Sequence, residues 1–316
     1  MSATKPELSV VLPVFNEEDS LPGLFARLLP VLEALGIPFE VVVIDDGSSD
    51  RSFALMAVAA SNDPRLRVIR FSRNFGHQMA LTAGLDAAAG TNVAVMDADL
   101  QDPPEILPEM LAKINEGFEV VYAQRRKRDG ESIFKKATAH VFYRVLRRWT
   151  NIDIPVDTGD FRILGPKALK AFRGLRERHR FVRGLTAWIG FRQTAVTYER
   201  PGRQFGETKY PFRKMLRFAL DGITSFSHVP LQVATWFGFA VSILSFSYII
   251  VVIVLKVLGI NVPGWTTLMV FLLLLGGMQL VLMGVIGEYI GRIYDEIKGR
   301  PLYLVAEELN PPGDES

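Results

Sequence analysis

Read from its start, the chain places short β-branched apolar runs between longer stretches with helical spacing. Leu8 to Pro13, Glu40 to Ile44, Arg67 to Phe71 and Asn92 to Met96 have the composition of strands. Between them, Glu18 to Leu35, Ser49 to Ser61 and Gln78 to Ala89 repeat their apolar residues at helical intervals. A further strand is expected over Glu119 to Ala123, and a further apolar run over Phe161 to Leu164. Strands alternating with helices predict an α/β domain whose mostly parallel sheet carries helices on both faces. In such sheets ligands gather at the carboxyl ends of the strands, which is where chemistry is to be sought.

The pattern changes beyond residue 230. No charged residue occurs from Leu231 to Leu255, nor from Trp265 to Gly287. About 20 apolar residues cover a hydrocarbon core of roughly 30 Å, so both runs are long enough to cross a bilayer. The connection Lys256 to Gly264 holds Gly259, Asn261, Pro263 and Gly264, which end helices and make turns, so the two spans form a hairpin. Basic residues precede the first span (Arg200, Arg203, Lys209, Arg213, Lys214, Arg217) and follow the second (Arg292, Lys298, Arg300), while the connection carries only Lys256. That asymmetry predicts a multi-pass membrane protein with both termini and the N-terminal domain in the cytoplasm. Within Tyr210 to Phe226, apolar Phe212, Met215, Leu216, Ala219, Leu220 and Ile223 recur opposite Arg213, Lys214 and Arg217, as in a helix lying at the bilayer surface. The organisation is thus an N-terminal α/β domain over 1–209, an amphipathic helix over 210–228, a hairpin over 229–291 and a cytoplasmic tail over 292–316. Gly276, Gly277, Gly284, Gly287 and Gly291 would let membrane helices approach closely.

Composition adds little but excludes much. Apolar residues make up 49% of the 316, more than an ordinary core needs, and the hairpin accounts for the excess. The 36 basic residues nearly balance 34 acidic ones, so charge gives no reason to expect a nucleic-acid partner. With no cysteine there is no disulfide, thiolate metal site or cysteine nucleophile. The start MSATKPELSVVLPVF has no long apolar stretch after a basic start, so no cleavable signal peptide is expected.

Polar turns follow the expected strands where the fold rule directs attention. Pro13-Val14-Phe15-Asn16-Glu17-Glu18 follows the first and Asp45-Asp46-Gly47-Ser48-Ser49-Asp50 the second. The latter reads either as a helix cap or as a binding turn in which Asp46 takes a ribose hydroxyl or a base. Met96-Asp97-Ala98-Asp99-Leu100-Gln101-Asp102-Pro103-Pro104 follows the fourth. If that segment is extended, Asp97 and Asp99 lie on one side of it and repel unless a hard divalent cation sits between them. A nucleotide diphosphate would then supply the remaining ligands; the plainer alternative is a solvated acidic turn before a helix. Asp157 and Asp160 fall in a turn after Pro155 that suits either a capping role or contact with sugar hydroxyls or acceptor. The run Arg173 to Arg183, with Arg173, Arg176, Arg178, Arg180, Arg183 and His179, reads either as a solvated helix face or as a cluster that attracts anionic lipid or substrate, the former ahead. His77 and His140 have no partner at ligand spacing and read as structural.

Taken in order, Pro13-Val14-Phe15-Asn16-Glu17, Asp45-Asp46-Gly47-Ser48-Ser49, Arg73-Asn74-Phe75-Gly76, Asp97-Ala98-Asp99-Leu100-Gln101-Asp102-Pro103-Pro104 and Asp157-Thr158-Gly159-Asp160-Phe161-Arg162 resemble glycosyltransferase family 2. The similarity is closest to the polyprenyl-phosphate sugar transferases, the dolichyl-phosphate mannose synthase and bactoprenol glucosyltransferase group. It extends through Gly206-Glu207-Thr208-Lys209-Tyr210 to Gly287-Glu288-Tyr289-Ile290-Gly291-Arg292-Ile293-Tyr294. The resemblance implies a GT-A type nucleotide-binding domain and an inverting, Mg²⁺- or Mn²⁺-dependent transfer from a nucleotide sugar, UDP-glucose ahead of GDP-mannose, to a polyprenyl phosphate. It implies that Pro13, Phe15, Glu17, Asp46, Asp97, Ala98 and Arg125 line the nucleotide-sugar pocket, that Asp99 and Gln101 hold the metal with Asp97, and that Arg203 and Lys209 grip phosphates. Asp99, Arg203, Lys209 and Asp157 are then the catalytic candidates. Phe15 stands where relatives often carry tyrosine, and a homotetramer is a further expectation of the family.

The chemistry is consistent with that set. A lipid phosphate is already an anion near neutral pH, so no strong general base is required. The harder task is bringing two anions together and stabilising a departing diphosphate, for which metal and cationic side chains are suited. Arg200 to Lys209 is basic and glycine-bearing, which serves both phosphate binding and membrane topology. Two rival functions are a processive polysaccharide synthase and a non-catalytic nucleotide- or lipid-binding membrane scaffold. A single hairpin is too little for the first, and Arg147-Arg148-Trp149 lacks the glutamine of the Gln-x-x-Arg-Trp motif. The second would be expected to have lost Asp97, Asp99 or Gln101, all of which are present.

Overall fold

The structure, a computed structural model, describes residues 5–126, 158–199, 229–259 and 264–311. Two compact units emerge, Met1–Met215 with Arg300–Ser316, and Leu216–Gly299.

The first unit is built on β1 (Leu8–Val14), α1 (Leu21–Ala34), β2 (Phe39–Asp45), α2 (Ser52–Asn62), β3 (Leu66–Phe71), α3 (His77–Ala87) and β4 (Asn92–Val95). It continues with α4 (Leu107–Asn115), β5 (Val120–Arg125), β6 (Thr158–Leu164), α5 (Pro166–Gly174), α6 (Val182–Trp188) and β7 (Gln193–Tyr198), and β8 (Val305–Leu309) joins from the far end of the chain. The eight strands form one sheet in the order β7-β5-β6-β4-β1-β2-β3-β8. β1 pairs in parallel with β2 and β4, β2 with β3, and β5 with β7, whereas β6 runs antiparallel to both β4 and β5 and β8 antiparallel to β3. The mostly parallel α/β sheet expected of a GT-A type domain is therefore present, with antiparallel strands at β6 and β8.

β1 shows why its sequence looks continuous rather than alternating. All seven residues are buried. Leu8, Val10, Leu12 and Val14 join the core beneath α1, α2 and α4, with Leu24, Leu28, Met56 and Met110. Val11 faces the opposite way, toward α3, where a Cβ added to Gly84 would come within 2.0 Å of Val11 Cγ1. A strand covered on both faces has no polar face to display. Val11 accepts a bond from Met96 N–H of the β4 side, and β1 and β4 pair no further than Val11. Alternation directs Pro13 to that same side, beyond the end of β4, so its missing N–H removes no ladder bond.

The order of strands sets the position of the site. From β1 the chain winds to β2 and β3 on one side, then returns to place β4 on the other side of β1. Reversal of winding at β1 and β4 opens a crevice above their carboxyl ends.

The tail expected over 292–316 is more structured than its sequence suggested. β8 covers the β3 edge, which would otherwise present a row of unpaired amides. Around it, Glu308 pairs with Arg67 at 2.6 Å, Tyr303 stacks on Phe71 with centroids 5.1 Å apart, and Asn310 Nδ2 donates to the Ala60 and Leu66 carbonyls at 2.8 Å each.

The second unit holds α7 (Val229–Val257) and α8 (Trp265–Ile297), each long and apolar enough to cross a membrane. Their large apolar side chains point outward, Leu244 and Leu273 being 70% and 72% exposed, as suits a lipid rather than a water environment. Tyr248 and Phe271 bring the helices together at 5.9 Å between rings. α8 runs ten residues past the charge-free stretch that ends at Gly287, carrying an i,i+4 pair between Glu288 and Arg292 at 3.0 Å. The amphipathic helix expected over 210–228 lies outside the described residues.

Candidate active site

Four loops meet above the crevice, and side chain to backbone bonds fasten the first three to one another. In the loop after β1, Asn16 adopts a left-handed φ of 55°. Its N–H donates to Ser48 Oγ at 3.0 Å, and its Oδ1 accepts Ser49 N–H at 2.8 Å. Glu17 N–H donates to Ser52 Oγ at 2.8 Å, and its carboxylate accepts the Ser20 hydroxyl at 2.8 Å. Phe15, between these anchors, leaves its ring 46% exposed beside buried Pro13. A flat apolar face at that place suits the stacking of a nucleotide base.

Asp46 fastens the second loop to the third. Its carboxylate accepts Phe75 N–H at 2.7 Å and Gly76 N–H at 3.0 Å, immediately before α3. Burial pushes the Asp46 carboxyl up, and those two amides act in the opposite direction. Gly47, at φ 72°, allows the crossing: a Cβ there would stand 2.6 Å from the Arg73 carbonyl carbon and 2.7 Å from Asn74 N. The guanidinium of Arg73 covers the Phe75 ring at 4.1 Å. The family-like segments after β2 and β3 are thus one built unit.

The acidic turn departs from expectation. β4 ends at Val95, and Asp97 and Asp99 sit in a bent segment rather than on one side of an extended strand. Leu100 takes a left-handed φ of 63°, unusual for a leucine, and turns its side chain into the core. Asp99 Oδ1 accepts Gln101 N–H at 3.1 Å, and Asp102 Oδ2 accepts Asp97 N–H at 3.1 Å. Ala98, Gln101 and Asp102 are buried. The Asp97 carboxyl is pushed up to about 7, first by burial and then by the charge of Asp102, with Asp160 and Asp99 adding to it and His77 opposing. Unbalanced negative charge at oxygen ligands is the condition a hard divalent cation relieves. Among the described residues no three His, Cys, Asp or Glu side chains form a group able to hold a metal.

Two sequence expectations are corrected here. His77 is not isolated: as the first residue of α3 it places Nε2 3.1 Å from Asp160 Oδ2 and 3.7 Å from Asp97 Oδ1. The turn of α3 and the antiparallel entry of β6 bring these residues together from distant parts of the chain. Nor is the arginine run a solvated helix face, because α5 ends at Gly174 and α6 begins only at Val182. Arg173 donates to the carbonyls of Leu85 and Ala88 at 2.8 and 2.6 Å, Arg176 pairs with Asp86 at 2.8 Å, and Arg180 is buried. Arg183 reaches Asp160 Oδ1 at 3.3 Å. Arg162, fully enclosed, donates to the Asp160 and Gly159 carbonyls and to Thr186 Oγ1. Burial would raise the Asp160 carboxyl, but Arg183, His77 and Arg162 outweigh it and hold the group well below the ordinary carboxylate range. Burial would lower His77, yet Asp160 and Asp97 raise it above the ordinary value.

Arg125 is the last residue of β5 rather than a residue beyond the strand, and register places it opposite Tyr198 of β7. Asp157, Arg203 and Lys209, together with His140 and the Arg147-Arg148-Trp149 segment, lie outside the described residues. Among those described, the fold brings Pro13, Phe15, Glu17, Asp46, Asp97, Ala98, Asp99, Gln101 and Arg125 to the carboxyl ends of β1, β2, β4 and β5. Sequence reasoning missed His77, Arg183 and Tyr198 as neighbours of this site.

Comparison with known proteins agrees with this arrangement. Residues 9–173 match the glycosyl transferase family 2 model, and residues 229–293 match the GtrB C-terminal hairpin. Over 300 residues the chain is 51% identical to the uncharacterized glycosyltransferase YkcC of Bacillus subtilis, covering 95% of this chain and 93% of that one. Over 302 residues it is 49% identical to the uncharacterized glycosyltransferase sll0501 of Synechocystis, covering 95% of each. It is 39% identical over 300 residues to the SfII prophage-derived bactoprenol glucosyl transferase of Shigella flexneri, covering 95% of this chain and 97% of that one. With a nucleotide-binding type α/β domain, an acidic turn at its switch point and two apolar helices, the chain belongs to glycosyltransferase family 2 and carries the GtrB C-terminal hairpin.

Proposed function

We propose that this glycosyltransferase moves a sugar from a nucleotide sugar, UDP-glucose before GDP-mannose, to the phosphate of a polyprenyl lipid at the cytoplasmic face of the cell membrane. The observation that carries the reading is the bent acidic turn, Asp97 to Asp102, set above the β1–β4 crevice in a chain that also has two apolar helices. Relatives named bactoprenol glucosyl transferase at 39% identity favour glucose and an undecaprenyl-type acceptor.

In the reaction, the bond between the anomeric carbon and the nucleotide diphosphate breaks as a lipid phosphate oxygen bonds to that carbon from the opposite side. The nucleotide diphosphate leaves with the bonding pair, and the configuration inverts. Pro13 and Phe15 are assigned to the nucleotide base and Arg125 to the diphosphate. Asp99, Gln101 and Asp97 would hold a Mg²⁺ or Mn²⁺ ion, which when bound neutralises the leaving diphosphate. The acceptor is already ionised near neutral pH, so no side chain has to remove its proton. Arg203 and Lys209, in the basic segment before the hairpin, are assigned to phosphate binding, and Asp157 to the acceptor side. The hairpin holds the domain at the lipid surface with both termini cytoplasmic, as the distribution of basic residues supports.

The test is direct. Full-length protein in detergent is incubated with undecaprenyl phosphate, Mg²⁺ or Mn²⁺, and each of a panel of radiolabelled UDP- and GDP-sugars. Label should enter the organic phase from one donor, only with metal, and fall by at least a hundredfold in Asp99→Ala. Binding of nucleotide without labelled lipid from any donor would remove the acceptor assignment and favour another acceptor or a scaffold.

A further inference from the structure

Arg125 and the acidic turn belong to different parts of the sheet, yet a short chain of hydrogen bonds joins them. Arg125 Nε donates to Tyr198 Oη at 3.3 Å, and Tyr198 Oη donates to Asp102 Oδ1 at 3.1 Å. The other Asp102 oxygen accepts Asp97 N–H at 3.1 Å. Tyr198 is 5% exposed and Asp102 1%, so these bonds are shielded from water, where a polar contact is stronger and its loss is felt more. Burial raises the Tyr198 hydroxyl to about 12, and the neighbouring Asp102 charge acts in the same direction, so the phenol keeps its proton and remains a donor.

The surrounding backbone fixes the relay at both ends. Arg125 and Tyr198 are register partners in parallel strands, and Arg126 N–H donates to the Tyr198 carbonyl at 2.9 Å. Gly159 leaves room for the guanidinium, since a Cβ there would stand 3.1 Å from Arg125 Nη2. At the turn, Leu100 is held in a left-handed conformation with its side chain in the core. Bonds to Asp102 from two directions oppose the relaxation of that strained segment.

The geometry points to Tyr198 as a positioning residue for donor binding. Acting through Asp102 and Arg125, it sets the separation between the guanidinium and the turn bearing Asp97 and Asp99, so that both address one diphosphate. This inference rests on the nucleotide-sugar reading given above. It assigns Tyr198 no contact with the sugar or the acceptor.

Tyr198→Phe is the natural probe because it removes one oxygen and keeps the buried ring. UDP affinity of full-length protein in detergent is measured by calorimetry with Mn²⁺, alongside the thermal midpoint. Loss of one hydrogen bond from a shielded network should raise the Kd for UDP about three- to tenfold, with little change in midpoint. In an Arg125→Ala background the same substitution should cost less than twofold, because the guanidinium it positions is gone. Unchanged UDP affinity in Tyr198→Phe would overturn the inference and leave the proposed function standing, as would an equal penalty in both backgrounds. A lowered midpoint with wild-type affinity would make Tyr198 a core residue only. Failure of the unmodified protein to bind UDP with Mn²⁺ would overturn this inference and the UDP-sugar reading together.

Discussion

Asp160 shows how much a single residue depends on partners the sequence does not place beside it. Three basic side chains surround it, His77 at 3.1 Å, Arg183 at 3.3 Å and Arg162 at 3.7 Å. Its carboxyl is depressed in the folded protein, so its contribution to stability is complete above its unfolded value of about 4 and is lost as pH falls through the folded value. His77 acts in the opposite sense: its raised value makes its contribution complete below about 6.5 and lost as pH rises further. Asp160→Asn should therefore lie below wild type in thermal midpoint at neutral pH, and the gap should close on acidification below about pH 4. Melting curves across that range check it; a gap constant with pH would mean that the Asp160 charge is not what its partners stabilise. The acidic motif could be read from the chain because Asp97, Asp99, Gln101 and Asp102 are neighbours in sequence. His77, Arg183 and Tyr198 could not, because they approach it through α3, α6 and β7, and no short-range spacing encodes those contacts.

At the scale of elements, local pattern located the strands and helices it named to within a few residues but misjudged what ends them, and it left α4, α5, α6 and β7 unnamed. The expected helix over Glu18 to Leu35 begins only at Leu21, because Glu17 and Ser20 spend their polar groups on a turn first. The strand expected to reach Met96 stops at Val95, where the chain bends to present the acidic turn. β8 went unread, since Val305–Leu309 includes two glutamates and only the exposed β3 edge gives it a partner. Arg67 makes that pairing specific, bonding both Glu308 and the Ala87 carbonyl. Deleting residues 305–316 should uncover the β3 edge and lower the thermal midpoint by several degrees. It should also increase aggregation at a given concentration, as size-exclusion chromatography in detergent would record. A truncated protein with wild-type midpoint and elution would show that β8 contributes nothing to the domain.

For the whole molecule, the two kinds of hydrophobic pattern carry the functional argument. β1, buried on both faces, belongs to a domain whose switch point makes a crevice for a nucleotide. α7 and α8 expose apolar side chains along their length and need a different surrounding. An α/β domain followed in the chain by two long apolar helices suits the proposed reaction, with one water-soluble substrate and one membrane-bound substrate. The measurement that tests this most directly is the identity of both products after reaction with UDP-glucose and undecaprenyl phosphate. Mass spectrometry of the lipid and chromatography of the nucleotide should find one hexose on a lipid that retains a single phosphate, with UDP released in equal amount. Release of UMP with a lipid carrying two phosphates, or a lipid bearing a lengthening sugar chain, would contradict the account.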